Sequence, residues 1–115
     1  MGVIGCGHIG KLVVQFLEPF GCRALVHDIR DYPEFYALHD VECVGLETLL
    51  RASDVITLHV PLDGSTRRML NAERLAMLKP EAVVVNTARG GLVDEVALAK
   101  ALGSGRLAGA ALDVF

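Results

Sequence analysis

GVIGCGHIGKLVVQFLEPFGCRALVHD, residues 2–28, contains a short apolar run, a glycine-rich turn and a second apolar run that ends in Asp28. The first run predicts a β-strand over Gly2–Ile4, which leads into the glycine loop, Gly5-Cys6-Gly7-His8-Ile9-Gly10. A helix is predicted over residues 8–20, because apolar residues recur there at helical spacing and Gly21 stands where a C-cap is expected. The apolar face predicted for this helix consists of Ile9, Leu12, Val13, Phe16, Leu17 and Phe20. A second strand is predicted over residues 23–28.

The rest of the chain repeats this alternation of apolar runs and helical patterns. Further strands are predicted over residues 41–44, 54–58, 82–87 and 107–114. Further helices are predicted near residues 34–38 and over residues 46–52, 71–79 and 94–102, with Asn71 and Asp94 as N-caps. This order predicts an α/β fold, a doubly wound parallel sheet of the Rossmann type, with about six strands and helices on both faces. The apolar runs at 55–56 and 83–85 are typical of strands covered on both faces.

Composition and charge limit the classes of function. A chain of 115 residues is long enough for one compact domain, so residues 1–115 are predicted to form a single domain. The net charge of −3 argues against nucleic acid as the main partner, and no segment resembles a membrane span or signal peptide. The three cysteines lack metal-ligand or disulfide spacing, so no metal is predicted, and free thiols suit the cytoplasm.

Each glycine of the glycine loop has a predicted physical role in holding a pyrophosphate. Gly5 would make the tight turn from strand to helix, and Gly7 would leave out the Cβ that blocks a phosphate. Gly10 would let the helix lie close to the strand. The backbone N–H groups of His8 and Ile9 are the predicted donors, because they lie at the positive end of the helix dipole.

Asp28 ends the second predicted strand, 18 residues after Gly10, which is where a dinucleotide site places the acid that binds the ribose. A carboxylate there accepts hydrogen bonds from ribose hydroxyls and repels a 2′-phosphate, so NAD is predicted in preference to NADP. Arg30 lies close enough to weaken this preference for NAD, but the carboxylate of Asp28 remains. Three alternatives stay open at this point: an FAD site, an S-adenosylmethionine site, and glycines that serve packing alone.

Three other strand ends carry unusual residues, and ligands of doubly wound sheets bind beyond such ends. These segments are His59-Val60-Pro61, Asn86-Thr87-Ala88-Arg89-Gly90-Gly91 and Asp113. The guanidinium of Arg89, just beyond a rigid strand of valines, is well placed to bind a planar carboxylate. A surface salt bridge is the alternative. Asp113 is expected within an apolar strand, where burying a carboxylate is costly, so a purely structural role is less expected. A packed structural role is the simpler interpretation of His59.

NTARGGLVDE, residues 86–95, and GAALDVF, residues 109–115, resemble the D-isomer-specific 2-hydroxyacid dehydrogenase family, and the similarity runs from Gly2 to Phe115. The resemblance implies an NAD-dependent oxidoreductase. It makes Arg89 the catalytic arginine, which binds the substrate's carboxylate and polarises its 2-oxo group. It also implies cofactor contacts on the nicotinamide side from Val60, Thr87, Ala88, Arg89 and Asp113.

The family's catalytic set is an Arg, a Glu and a His, and the Glu follows the LDVF segment within a few residues. The family's substrate domain flanks the nucleotide-binding one, and it is expected to be absent from residues 1–115. Residues 1–115 are therefore expected to bind NAD(H) without turnover, because the Glu and the His of this set are expected outside them. The general acid–base catalysis that these two residues would supply is worth about 10²–10⁴-fold in rate. The partner implied is a small 2-hydroxy or 2-oxo acid, whose identity these residues do not define.

Two other interpretations remain. One is an NAD(H)-sensing interaction module, because transcriptional corepressors of the C-terminal-binding-protein type share this fold and an NTARGG segment. The other is a stand-alone dinucleotide-binding domain. A homodimer is a further expectation, since the family commonly dimerises through this domain.

Overall fold

The structure is a computed structural model that describes all of residues 1–115. Six strands alternate with five α-helices, and a 3₁₀ turn at Glu18–Phe20 follows the first helix. The strands are β1 (Gly2–Ile4), β2 (Leu25–His27), β3 (Glu42–Cys43), β4 (Val55–Leu58), β5 (Val83–Asn86) and β6 (Gly109–Leu112). The helices are α1 (His8–Leu17), α2 (Pro33–His39), α3 (Leu46–Ala52), α4 (Ala72–Leu75) and α5 (Glu95–Gly103). None of the helices has the length and apolar character needed to cross a membrane.

All neighbouring strands are parallel, and their order across the sheet is β3-β2-β1-β4-β5-β6. The chain runs outward from β1 through β2 to β3, then returns to the other side of β1 and runs outward again. Ile4 therefore pairs with His27 on one side and with Leu58 on the other. This reversal is a topological switch point, and it opens a crevice at the carboxyl ends of β1 and β4. The predicted doubly wound sheet is confirmed.

Two apolar clusters lie on opposite faces of the sheet. The larger has 16 buried residues and packs α3, α4 and α5 against side chains such as Ile56 and Val84. The smaller has seven buried residues and packs α1 and α2 against Val3 and Val26. Residues adjacent along a strand point to opposite faces, which is why Val3 and Ile4 belong to different clusters. The predicted helices on both faces are confirmed.

The buried face of α1 differs from the one predicted. Ile9, Phe16 and Phe20 are 58%, 68% and 79% exposed, whereas the buried residues of the helix are Gly10 and Val14. The cause is the close contact between helix and strand, because a Cβ on Gly10 would overlap the carbonyl oxygen of Gly5. Turning Gly10 toward the sheet turns Ile9 and Phe16 toward solvent, and Phe20 lies beyond α1 in the 3₁₀ turn.

The prediction that both faces of β5 are covered was also wrong. Val84 is fully buried in the larger cluster, but its neighbours Val83 and Val85 are only partly buried. On the side of the sheet that carries α1 and α2, these helices pack over β1 and β2, and no helix of residues 1–115 covers β5. Apolar composition alone did not reveal this asymmetry.

The two N-caps predicted from the sequence, Asn71 and Asp94, are confirmed. The Asn71 side chain accepts a hydrogen bond from the Arg74 N–H at 3.0 Å, and that of Asp94 accepts one from the Ala97 N–H at 3.1 Å. Both are the N-cap contacts expected of these residue types. The helix after Asn71 is shorter than predicted, however, since α4 ends at Leu75.

Candidate functional site

A cleft of about 430 Å³ lies at the carboxyl ends of β1, β2 and β4. Its lining includes Gly7, Asp28, Tyr32, His59 and Val60. A larger hollow of about 560 Å³ lies at the amino ends of the strands and contains none of the residues predicted to bind a ligand. The cleft at the carboxyl ends is the candidate site, because it lies at the switch point and Gly7 of the glycine loop lines it.

Gly5 and Gly10 are required by the protein itself. Gly5 has a φ of +97°, and a Cβ there would overlap the His59 carbonyl and lie 2.8 Å from Val60 Cγ1. A Cβ on Gly10 would overlap the Gly5 carbonyl oxygen. These contacts have the geometry predicted for both residues, which is a tight turn and a close helix–strand approach.

Gly7 is different, because nothing lies within 4 Å of the position that its Cβ would take. Its φ of −75° and ψ of −156° are also open to other residues. The protein itself therefore does not need a glycine at this position, and the open space beside the backbone leaves room for a ligand. The N–H groups of Gly7, His8, Ile9 and Gly10 donate to no backbone acceptor. A row of free donors at the start of α1 fits a pyrophosphate.

The Asp28 side chain is placed between the cleft and the glycine loop. Its Oδ2 atom accepts a hydrogen bond from the Cys6 N–H at 2.6 Å, and its Oδ1 atom accepts one from the Arg30 N–H at 2.9 Å. Each oxygen keeps lone pairs free for further donors such as ribose hydroxyls. The sequence predicted the acid at the end of the strand but not its bond to the loop, since nothing in the spacing indicates a contact with Cys6.

Asn86 ends β5 beside the carboxyl end of β4 and organises the segment that follows, which lies outside the lining of the cleft; sequence reasoning assigned Asn86 no role. Its side chain is 2% exposed, with Oδ1 accepting from the Ala88 N–H at 3.0 Å and Nδ2 donating to the Arg89 carbonyl at 2.9 Å. Its own carbonyl accepts from the Asp113 N–H at 3.0 Å. A single buried residue thus holds together three residues predicted for the nicotinamide side. The available signal was an amide ending an otherwise apolar strand.

Arg89 is exposed and takes part in no ion pair. Its Nη1 atom donates to the Ala88 carbonyl at 2.6 Å, which leaves the other guanidinium N–H groups free. The alternative of a surface salt bridge therefore finds no support. Thr87, two residues earlier, is exposed as well.

The expected surroundings of Asp113 need correction. Strand β6 ends at Leu112, and Asp113 is exposed just beyond it rather than enclosed in an apolar strand. Its place beside the end of β5 still follows from its backbone bond to Asn86. Exposure removes the burial argument for a functional role, so its contact with a carboxamide stays a prediction.

His59 and Cys6 have the surroundings of structural residues. His59 Nε2 lies 2.8 Å from Thr57 Oγ1, and burial lowers the pKa of this imidazole, which makes it neutral at pH 7. Cys6, within the glycine loop, is fully buried in the smaller apolar cluster, and burial raises the pKa of its thiol. The raised pKa disfavours thiolate chemistry at Cys6, and His59 forms no ion pair with a carboxylate.

Comparison with known proteins gives a consistent result. A family model described as "D-isomer specific 2-hydroxyacid dehydrogenase, NAD binding domain" matches residues 1–115. The chain is 47% identical to a D-specific alpha-keto acid dehydrogenase of Enterococcus faecalis over 99% of its own length and 33% of that protein. It is 39% identical to glyoxylate reductase 1 of Saccharomyces cerevisiae over 100% of its length and 33% of that protein. The chain spans about a third of the length of these relatives.

Solved structures agree with the sequence comparison. An NAD complex of a D-isomer-specific 2-hydroxyacid dehydrogenase from Lactobacillus delbrueckii ssp. bulgaricus superimposes with a TM-score of 0.94 at 38% identity, over 99% of this chain and 35% of that one. These relatives are dehydrogenases or reductases, and they favour that interpretation over a corepressor module. The chain belongs to the D-isomer-specific 2-hydroxyacid dehydrogenase family, of which it is the NAD-binding domain.

Proposed function

We propose that residues 1–115 form one domain, the cofactor-binding part of an enzyme that interconverts a 2-hydroxy acid and its 2-oxo acid. The observation that carries this proposal is that a free row of N–H donors and an arginine without an ion pair both lie at the carboxyl edge of one parallel sheet. The relatives' names include an alpha-keto acid dehydrogenase, a glyoxylate reductase and a glycerate dehydrogenase, whose substrates share a carboxylate beside the reacting carbon. Residues that select one acid among these would lie outside residues 1–115.

On the adenosine side, the backbone N–H groups of Gly7, His8 and Ile9 would hold the pyrophosphate. The helix dipole of α1 adds attraction for its negative charge. Asp28 would accept the ribose hydroxyls through the lone pairs left free by Cys6 and Arg30. The same carboxylate would repel a 2′-phosphate, which is why we propose NAD over NADP.

On the nicotinamide side, Val60, Thr87, Ala88 and Asp113 would line the ring and its carboxamide. NAD, when bound, supplies the hydride-accepting ring of the reaction. Arg89 would grip the substrate's carboxylate in a bidentate manner and direct an N–H toward the 2-oxo oxygen. Asn86 would keep the arginine in register, because it binds the backbone on both sides of the Ala88–Arg89 peptide.

We further propose that the 115-residue chain by itself binds NAD(H) without turnover. His59 is neutral and tied to Thr57, and the one ion pair between a histidine and a carboxylate, His39 with Glu18, lies beside α1 and α2 over the other half of the sheet. Neither of these two histidines forms a hydrogen bond or an ion pair with Arg89. Loss of general acid–base assistance alone lowers a rate by about 10²–10⁴-fold.

The expected result is NADH binding without NADH oxidation when the chain is mixed with glyoxylate, pyruvate or hydroxypyruvate. The absorbance of NADH measures oxidation, and its fluorescence in the same sample measures binding. Arg89→Gln serves as the matched control, because any slow background that persists in this variant does not come from the site. Oxidation that depends on Arg89 and continues over many turnovers would contradict the proposal.

We also propose that the chain forms a homodimer through the exposed apolar face of α1, with Ile9, Phe16 and Phe20 at its centre. Large apolar side chains grouped on one helix and on the 3₁₀ turn that follows it are typical of a contact surface. Phe16→Glu is expected to convert dimer to monomer in sedimentation equilibrium. Val96 lies on α5 at the opposite face of the sheet, and it is 68% exposed, as Phe16 is. The control variant Val96→Glu should therefore leave the dimer intact. A monomeric native chain would refute this assembly.

The cytoplasm is the proposed location, and its support is the presence of three free cysteines, Cys6, Cys22 and Cys43. Free thiols persist in reducing compartments.

A further inference from the structure

Lys11 holds the glycine loop through the carbonyl group of Cys6. This residue lies in the first turn of α1, and its Nζ atom donates a hydrogen bond to the Cys6 carbonyl at 2.6 Å. The ammonium also lies 3.1 Å from the centroid of the Tyr32 ring and 5.5 Å from that of Phe35. Two aromatic rings from the segment after β2 thus position the charge, with cation–π attraction adding to the contact.

The bond to the Cys6 carbonyl fixes the direction of the next N–H group. No peptide bond in the chain is cis, and in a trans peptide the C=O and N–H groups point in opposite directions. The carbonyl held by Lys11 therefore turns the Gly7 N–H away from Lys11. Gly7 lines the cleft, and its N–H has no backbone acceptor.

The Cys6–Gly7 peptide needs an additional contact to fix its orientation, because residue 7 is a glycine. The missing Cβ leaves room for a ligand, but it also removes the steric restriction on φ that would resist rotation of the Cys6–Gly7 peptide. A rotated peptide would present a carbonyl oxygen to an anion in place of an N–H. The preceding peptide is held separately, since the Cys6 N–H donates to Asp28. Two consecutive peptides of the loop are thus each fixed by a charged side chain.

We propose that Lys11 is a positioning residue of the pyrophosphate site, which keeps the Gly7 N–H directed into the cleft as an anion donor. This role deepens the NAD-binding function and rests on it. It differs from a purely structural role of Lys11 in α1, because it predicts a defect that appears only for ligands carrying phosphates.

The test compares ADP-ribose, which contains the pyrophosphate, with adenosine, which contains the ribose and no phosphate. Lys11→Met keeps the aliphatic stem against Tyr32 and removes the donor and the charge. We expect this variant to bind ADP-ribose about ten- to a hundredfold more weakly, as for loss of a charge-assisted hydrogen bond, and adenosine with unchanged affinity. Lys11→Arg, which retains a donor and the charge, should restore most of the affinity. Titration calorimetry and NMR titration measure the two ligands.

Lys100→Met is the matched control, because it makes the same change of charge at an exposed position of α5 and should bind both ligands like the native chain. Native affinity of Lys11→Met for ADP-ribose would overturn the proposal, and so would an equal loss for adenosine. A ten- to a hundredfold loss that Lys100→Met shares would assign the effect to net charge and would also overturn it. A native chain that binds neither ligand would contradict NAD binding itself, a result distinct from any of these.

Discussion

Replacing Gly10 with alanine is expected to lower the free energy of unfolding by about 2–3 kcal/mol and to abolish NADH binding. The added methyl group would overlap the Gly5 carbonyl oxygen, which is backbone and has no rotamer to escape into. Helix α1 would have to move away from β1, which separates Val14 from the smaller apolar cluster. The same movement displaces the N–H groups that face the cleft.

Gly7→Ala provides the contrast that makes this result interpretable. Nothing lies within 4 Å of the new Cβ, and the φ of −75° suits alanine, so the free energy of unfolding should change by no more than about 0.5 kcal/mol. The methyl group would, however, fill the space where a phosphate approaches the backbone. We expect NADH binding to weaken by at least about a hundredfold, which is the loss of roughly two charge-assisted hydrogen bonds.

Chemical denaturation and NADH calorimetry on the two variants measure stability and binding separately. The expected pattern is loss of both properties for Gly10→Ala and loss of binding alone for Gly7→Ala. Unchanged NADH affinity in Gly7→Ala would mean that the cleft does not hold the pyrophosphate at Gly7. Native stability in Gly10→Ala would mean that helix and strand are less closely packed than the structure shows.

These two glycines also show how far the sequence could predict the fold. The spacing of the glycine loop predicted the strand, the turn and the helix, because each depends on residues close together in the chain. The same reasoning gave Gly10 a place against the strand, yet the predicted apolar face of the helix left Gly10 out. The helical spacing of apolar residues placed Phe16 on the predicted buried face. In the structure, the close approach of Gly10 to the strand sets the rotation of α1, and Phe16 is exposed.

The parts of the site that were not predicted depend on contacts between distant segments. Lys11 meets Tyr32 and Asp28 meets Cys6 only after β2 has paired with β1, and no spacing in the sequence encodes those contacts. Asn86 is an exception, since its partners lie two and three residues away. It was overlooked because Arg89 carries the more obvious chemistry in the same segment. Short-range capping by Asn71, by comparison, was predicted from residue type alone.

Asp28→Ala is expected to weaken NAD binding by about a hundredfold and to remove most of the discrimination against NADP. Hydrogen bonds to a charged acceptor are worth about 1.5–3 kcal/mol each, and the carboxylate offers free lone pairs to two ribose hydroxyls. The 2′-phosphate of NADP loses its repulsion in the variant, so NADP affinity should fall less than NAD affinity or rise. Titration of both cofactors by calorimetry gives the ratio.

Two further variants separate the roles of this carboxylate. Asp31→Ala removes the same charge from an exposed side chain that forms no ion pair, and it should leave the ratio of NAD to NADP affinity at its native value. Asp28→Asn retains an oxygen that can accept from the Cys6 N–H, so the glycine loop stays anchored while the charge is lost. If charge sets cofactor choice, Asp28→Asn loses discrimination and keeps more NAD affinity than Asp28→Ala. If Asp28→Asn discriminates like the native chain, Asp28 acts on the loop alone, and the preference for NAD must be set by other residues.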